Sequence, residues 1–434
     1  MRNNILNAWW DELNYEIRAI VQVANKLEKF FENGIIWENI WDPIAKWHEM
    51  AQWMKDIISK LAQENDTYRY CPTKWLDETR EFLADLNNKK WWAQIKKWDI
   101  IFFNWLWDAI STIYHYLKKE SRVIWNSPAY PTHSSAEAAH ANDHHITYKL
   151  DPINWWIPDI EHLNNIIKYN PSISWILLVN PDNPTGTVHT KEHLKKIVDI
   201  AKEYDLFLVV DEIYQNIILN DTKFTSLSEV IDNVPAICMK WISKEFPWPG
   251  GRCGWIEVYN RHKDPMFAKY IDTIKRAKML EVCSTTMPQK SIPIIMSDPR
   301  YAQHLKDRSK EFEIKSQIAY DIFKDTPWII VNKTNWAFYM TIVFDKWVLN
   351  ENQYLDIDQE KKNIIEPLLM DSNLDKKFVL YLLANTWICV VPLTWFNTTL
   401  KWFRMTLLEK DIQKFTNICN SIKSAIKSYL NSAK

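Results

Sequence analysis

Asn180-Pro181-Asp182-Asn183-Pro184-Thr185-Gly186 sits between an apolar run, residues 175–180 (WILLVN), and a stretch that reads as a helix from about Thr190. Two Asn-Pro pairs and a Thr-Gly prescribe a fixed turn, because proline restricts its own φ and the residue before it. Thr190 is a good helix N-cap. Strand, rigid turn and helix in that order make one βα unit.

The same unit recurs on both sides. Short apolar runs stand at residues 98–103 (WDIIFF), 121–125 (SRVIW), 206–211 (LFLVVD) and 236–241 (AICMKW), each separated by a helix-length segment. That alternation predicts βαβ units and a mainly parallel sheet. The runs are nearly continuous in Val, Ile and Leu, which suits strands buried on both faces. Helical apolar spacing marks residues 12–31, 76–88 and 108–118. After about residue 300 longer amphipathic helices, 303–325 and 409–430, enclose a few strands. The expected fold is therefore α/β: a large domain with a mainly parallel sheet flanked by helices, plus a smaller α+β domain built from both termini. The expected division is 1–60 for an N-terminal arm and part of the small domain, 61–300 for the large domain, and 301–434 for the C-terminal small domain.

Composition narrows the function class. The chain has 434 residues, 47% of them hydrophobic and 25% charged, with a formal net charge of −1. The length suits two or three packed units, and the balance is that of an ordinary soluble protein. No basic excess points to nucleic acid, no apolar run is long enough for a membrane span, and no signal-peptide core opens the chain. The six cysteines are scattered without a C-x-x-C pair; they read as free thiols in a reducing cytoplasm. His140-Ala141-Asn142-Asp143-His144-His145 is not set at i, i+4 on a clear helix and reads as a solvated loop or helix edge, so no metal is expected.

Two further stretches carry chemistry. Asp211-Glu212-Ile213-Tyr214 places a carboxylate at the end of a strand, where α/β folds bind ligands. Residues 241–255 (WISKEFPWPGGRCGW) place Lys244 after a short strand and Arg252 eight residues on, across a Pro/Gly-rich bend. A lysine amine can form an imine with a carbonyl compound, and an arginine offers a planar fork to phosphate. Taken singly, each has a plain reading: a connecting loop, a helix-capping aspartate, a solvated lysine. In combination, NPxNPTG, then D-E-x-Y, then S-K with an arginine eight residues later resembles the class I/II aminotransferases of the fold type I pyridoxal-phosphate enzymes. The resemblance runs from about Glu38 to the last helix.

The resemblance implies roles. Lys244 corresponds to the lysine that carries pyridoxal 5′-phosphate as a Schiff base and later moves the α-proton; Ser243 beside it belongs to the cofactor shell. Asp211 corresponds to the carboxylate paired with the pyridine nitrogen. Its charge keeps that nitrogen protonated. Asn183 and Tyr214 correspond to donors to the ring's phenolic oxygen, Asn183 also facing the substrate. Tyr130 corresponds to the aromatic stacked on the ring, and Arg252 to the phosphate arginine. Trp105-Leu106-Trp107 falls where backbone amides at a helix start cradle the phosphate. Tyr70 corresponds to a tyrosine that reaches the neighbouring subunit's cofactor, which implies a two-fold homodimer. Arg404 corresponds to the arginine that grips the substrate carboxylate, and Trp41 falls on the substrate side. Residues 61–300 would then hold the cofactor. The implied reaction is ping-pong transfer of an amino group between an L-amino acid and a 2-oxo acid. A lyase of C–S type on the same scaffold and a non-catalytic cofactor-binding protein are the alternatives; no helix-turn-helix segment accompanies the chain to favour the latter.

Tryptophan disturbs this match. The chain has 5 glycines and 25 tryptophans, whereas a share of about 7% would give roughly 30 glycines. Residues 39–43 (NIWDP), 70–76 (YCPTKWL), 104–108 (NWLWD), 335–339 (NWAFY) and 392–396 (PLTWF) each come closer to the family's strings when Trp is read as Gly. A UGA codon means glycine in some genetic codes and tryptophan in others, which would produce this swap. Trp255, Trp248, Trp37, Trp53 and one of Trp155 and Trp156 are expected to be genuine. The alternative is a truly tryptophan-rich chain. Two departures remain: Trp241 stands where the family has Ser or Gly, and Pro247, Trp248 and Pro249 replace small residues after the lysine.

Overall fold

The computed structural model describes residues 16–39, 43–90, 93–370, 372–394 and 396–433. The strands are β1 (Ile36–Trp37), β2 (Ile100–Phe103), β3 (Arg122–Ser127), β4 (Ile146–Asp151), β5 (Ile157–Pro158), β6 (Ile173–Val179), β7 (Phe207–Asp211), β8 (Ala236–Trp241) and β9 (Gly254–Tyr259). Strands β2 to β9 form one sheet in the order β2-β9-β8-β7-β6-β3-β4-β5. Its centre is parallel, from β8 through β7, β6 and β3 to β4. Strand β9 runs antiparallel to β8 and β2, and β5 antiparallel to β4. Every residue of β2, β3 and β9 is buried, the consequence of helices on both faces.

Those helices have the periodicity their sequence carries. In Lys191–Glu203, Leu194, Ile197, Val198 and Ala201 are buried at i, i+3, i+4 and i+7. The hydroxyl of Thr190 accepts from the His193 amide at 3.2 Å, capping the first turn. The helix expected over 108–118 begins at Leu106 and ends at His115. Its start is set by Asp108, whose carboxylate turns back to accept the Asn104 amide at 3.0 Å. The helix expected over 12–31 is Glu16–Leu27, followed by a short 3-10 turn.

A second sheet joins β10 (Ile329–Val331), β11 (Tyr339–Phe344), β13 (Val391–Pro392) and β14 (Trp402–Thr406) in the antiparallel order β10-β11-β14-β13, and β12 (Ile388–Cys389) pairs in parallel with β1. Helices Arg300–Phe323 and Ile412–Asn431 accompany it. The early segment is tied further: Glu38 accepts the Thr406 amide through its carbonyl at 2.9 Å, and its buried carboxylate accepts from Lys46 Nζ at 2.8 Å. Chain from both ends thus meets at β14. The stretch 140–145, expected as a solvated loop or helix edge, is so only in part: His144 is exposed, but His140 is buried in helix Pro131–Ala141, and His145 Nδ1 stands 2.5 Å from Glu137, which also accepts from buried Arg122 at 2.8 Å.

A buried ion pair at β8 should contribute strongly to the stability of the sheet. Glu212 accepts from Lys240 Nζ on β8 at 2.6 Å, from Ser226 Oγ and from the Leu227 amide. Removing one partner of such a pair strands the other charge. Lys240→Met is expected to cost about 3–5 kcal/mol, read as a lower urea midpoint; an unchanged midpoint would mean that the Lys240–Glu212 pair does not hold the sheet.

Candidate active site

The carboxyl ends of β6, β7 and β8 face one cleft, the position at which open parallel sheets bind ligands. The turn after β6 is rigid for reasons the sequence shows. The Asn180 amide donates to the Asp211 carbonyl at 2.9 Å, binding the turn to the next strand. Inside it, Asp182 accepts from Thr185 Oγ1 at 2.5 Å and from Asn126 Nδ2 at 3.2 Å. Burial pushes the Asp182 carboxyl up to about 6. Gly186 has φ +70°, and a Cβ there would stand 3.2 Å from Thr334 Cγ2, so glycine is required. The turn holds Asn183 where its Oδ1 accepts from Arg404 Nη1 at 2.8 Å.

Arg404 projects from β14, the strand both chain ends support. Its Nη2 donates to the Asn39 carbonyl at 2.9 Å, and its guanidinium lies 4.2 Å from the Tyr339 ring centre. Its Nε is buried and makes no hydrogen bond. A planar donor fork held from two sides is suited to a carboxylate.

Asp211 ends β7 and is buried; its Oδ1 accepts from the Ile213 amide at 3.1 Å. His133 Nε2 stands 3.9 Å from Asp211 Oδ2. This histidine escaped the sequence reading. The available signal was its place three residues after Tyr130, one helical turn along Pro131–Ala141.

Lys244 lies in the short helix Ile242–Glu245 that follows β8. Arg308 fixes that helix by donating from Nη1 to the carbonyls of Lys244 and Glu245, at 2.6 and 2.9 Å; Arg308 was also not foreseen. Lys244 Nζ is 5.6 Å from the Tyr214 ring centre and 5.8 Å from that of Phe338. Burial among these rings, and then the Arg404 charge, bring its amine down to about 7, with Asp211 opposing. Burial likewise keeps the Tyr214 hydroxyl protonated, far above its ordinary range. Ser243 is buried beside Lys244, and its hydroxyl makes no hydrogen bond.

Lys244, Asp211, Tyr214, Asn183 and Tyr130 line one cavity, together with residues 105–107 and Trp241. The expected ring-side groups are therefore gathered. The phosphate side differs. Arg252 is stacked on indoles, its Cζ 4.0 Å from the Trp105 ring centre and 5.6 Å from that of Trp241. The cavity is about 50 Å³, room for a few waters, whereas ligand pockets begin near 300 Å³. Pyridoxal phosphate fits the lysine, aspartate and tyrosine of this site but not its phosphate end with indoles at 105 and 241. Tyr70 is 79% exposed and lies outside the cavity wall. Trp41 lies outside the described residues. A larger groove of about 730 Å³ opens at the other end of the strands, around Phe207, Pro235 and Tyr270. It contains none of these groups, so volume alone does not locate the chemistry.

The sequence profile of the family "Aminotransferase class I and II" matches residues 43–422. An uncharacterized aminotransferase of Methanocaldococcus jannaschii is 53% identical over 431 residues, covering 99% of this chain and 100% of that protein. The glutamate-pyruvate aminotransferase of Escherichia coli K12 is 24% identical over 362 residues, 81% of this chain and 87% of that one. Among solved structures, an alanine aminotransferase from Pyrococcus furiosus superposes with a TM-score of 0.82 at 23% identity, covering 98% of this chain and 99% of its own. A profile match over most of the length, joined to a relative that shares half its residues from end to end, settles the kinship: the chain belongs to the class I and II aminotransferases, which work with pyridoxal phosphate.

Proposed function

We propose that Lys244 is the amine that holds the cofactor and carries the proton during amino-group transfer between an L-amino acid and a 2-oxo acid. One observation supports this above the others: an amine brought down to about 7 shares a buried cavity with Asp211, and Asn183 links that cavity to Arg404. Pyridoxal phosphate supplies the aldehyde and an electron-withdrawing ring. The chain supplies the rest. Asp211 presents a fixed negative charge, Tyr214 and Asn183 present polar groups to the same cavity, and Tyr130 forms one wall. Arg404 orients the carboxylate that amino acid and oxo acid share, so one grip serves both half-reactions.

The Lys244 amine is neutral above its pKa and only then nucleophilic. The Arg404 charge lowers that pKa, so Arg404→Met should raise it and move the titration to higher pH. NMR of isotope-labelled methyl groups placed on Lys244 of the apoprotein reads this directly. A midpoint near pH 7 that moves up in the variant is expected, and a downward move would contradict the assignment. Arg404→Gln should lower kcat/KM on the order of 10²-fold, about 2.7 kcal/mol, for amino acids and 2-oxo acids alike. Amines without a carboxylate should lose far less, only what the higher Lys244 pKa costs; an equal loss for them would remove Arg404 from substrate binding.

The proposed assembly is a homodimer in the cytoplasm. In its support Tyr70 is exposed in the single chain, free to reach a second copy, and the cysteines form no disulfide among the described residues. No described helix is long and apolar enough to cross a membrane. Tyr70→Phe should weaken cofactor retention roughly fivefold, about 1 kcal/mol for one hydrogen bond, with dimer sedimentation unchanged. Unchanged retention would exclude Tyr70 from the partner's site.

A further inference from the structure

We propose that the protein made in its own cells carries glycine at most of its tryptophan positions, including the three that crowd the cofactor site, Trp105, Trp107 and Trp241. Two independent observations on the backbone and the core point there, and a third, at the site, rests on the function proposed above.

The first is backbone conformation. Among the described residues, 18 that are not glycine have positive φ, and seven of these are tryptophan: Trp47, Trp75, Trp155, Trp156, Trp328, Trp347 and Trp387, with φ between 53° and 69°. Seven others are Asn or Asp, the side chains that tolerate this region. Tryptophan has no such tolerance, whereas glycine adopts it freely. Gly34 and Gly186 have the same φ, 69° and 70°. Trp387 is diagnostic: it follows helix Leu374–Thr386 in the left-handed conformation, with its amide donating to the Leu383 carbonyl at 2.9 Å. That is the position where helices end on glycine. Trp155 and Trp156 both have positive φ, so the expectation that one of them is genuine gives way to glycine at both.

The second is the indole N–H. Buried tryptophans normally find an acceptor for it. Trp125, Trp156, Trp175, Trp241 and Trp402 bury Nε1 without one. Trp75 and Trp336 do find acceptors, Ser284 Oγ at 3.3 Å and the Tyr214 carbonyl at 2.6 Å, so the indole N–H marks only those five and Trp75 is marked by its φ. Trp255 and Trp53 have neither a positive φ nor an orphaned Nε1. Trp255 Nε1 donates to Glu257 at 3.1 Å, and Trp53 packs 4.9 Å from the Arg300 guanidinium and edge-on to His304. Trp248 also has a built place, since a Cβ on Gly251 would stand 2.7 Å from its ring. These three are tryptophan in the protein itself.

The third is the site. Trp105 and Trp241 have ring centres 6.1 Å apart and occupy the face of Arg252. Glycine at both frees the guanidinium and the start of helix Leu106–His115 for a phosphate. One cause covers all three observations: UGA codons read as glycine in these cells and written here as tryptophan.

Peptide masses of the protein isolated from its own cells test the proposal without reference to activity. Glycine is expected at 75, 105, 107, 241, 347 and 387, and tryptophan at 53 and 255; tryptophan in the peptide that spans 105–107 or in the one that spans 387 overturns it. A recombinant comparison gives a second reading. Trp347 is 95% exposed, so Trp347→Gly removes strain and no packing and should raise Tm, whereas Trp255→Gly should lower it. The combined variant Trp105→Gly, Trp107→Gly, Trp241→Gly should bind inorganic phosphate at least tenfold tighter than the parent in equilibrium dialysis. A lower Tm for Trp347→Gly, or unchanged phosphate binding, counts against the proposal.

Discussion

Holding a lysine amine in a buried place where it gives up its proton near neutral pH is the constraint around which this fold is arranged. Taking a cation out of water is costly, so the group gives up its proton instead. Lys244 is placed where that happens, after a strand buried in all but its last residue and among the rings of Tyr214 and Phe338. Asp211 opposes the loss of the proton and Arg404 favours it. The balance leaves an amine able to act as nucleophile and as base. The parallel sheet delivers the lysine and the aspartate from the ends of β8 and β7, and the second sheet delivers Arg404 from β14. Both layers are needed to assemble one site.

The second layer depends on contacts distant in sequence. Glu38 ties an early segment to Thr406, two residues from Arg404, and Asn39 gives its carbonyl to the guanidinium itself. The Asn183 side chain completes the link to the rigid turn after β6. A shift in any of these would move the Arg404 guanidinium relative to the Lys244 amine, and positioned reactions are sensitive to displacements of about 1 Å.

Much of this was legible in the sequence, for identifiable reasons. The apolar runs at 98–103, 206–211 and 236–241 appear as β2, β7 and β8 because strands covered on both faces leave no room for alternation. Asp211 ends β7, and Asn183 and Lys244 lie within four residues of the ends of β6 and β8, so their convergence follows from topology. What the sequence hid depends on folding at long range. His133 sits against Asp211 only because one helix packs beside β7's end, and Arg308 reaches the Lys244 carbonyl across sixty-four positions of chain. Neither distance is written in local spacing. The two-strand pairing of β1 with β12 was similarly invisible, being two residues long.

The tryptophans have the opposite lesson. A residue type is informative when it contradicts the backbone it occupies, and here a bulky aromatic repeatedly occupies conformations that belong to glycine. Borohydride reduction of the protein isolated from its own cells, followed by peptide mapping, locates the amine that carries the cofactor. The account predicts a stable pyridoxyl group on Lys244 and on no other lysine; a label on a different lysine, or an unlabelled Lys244 in active enzyme, would contradict it.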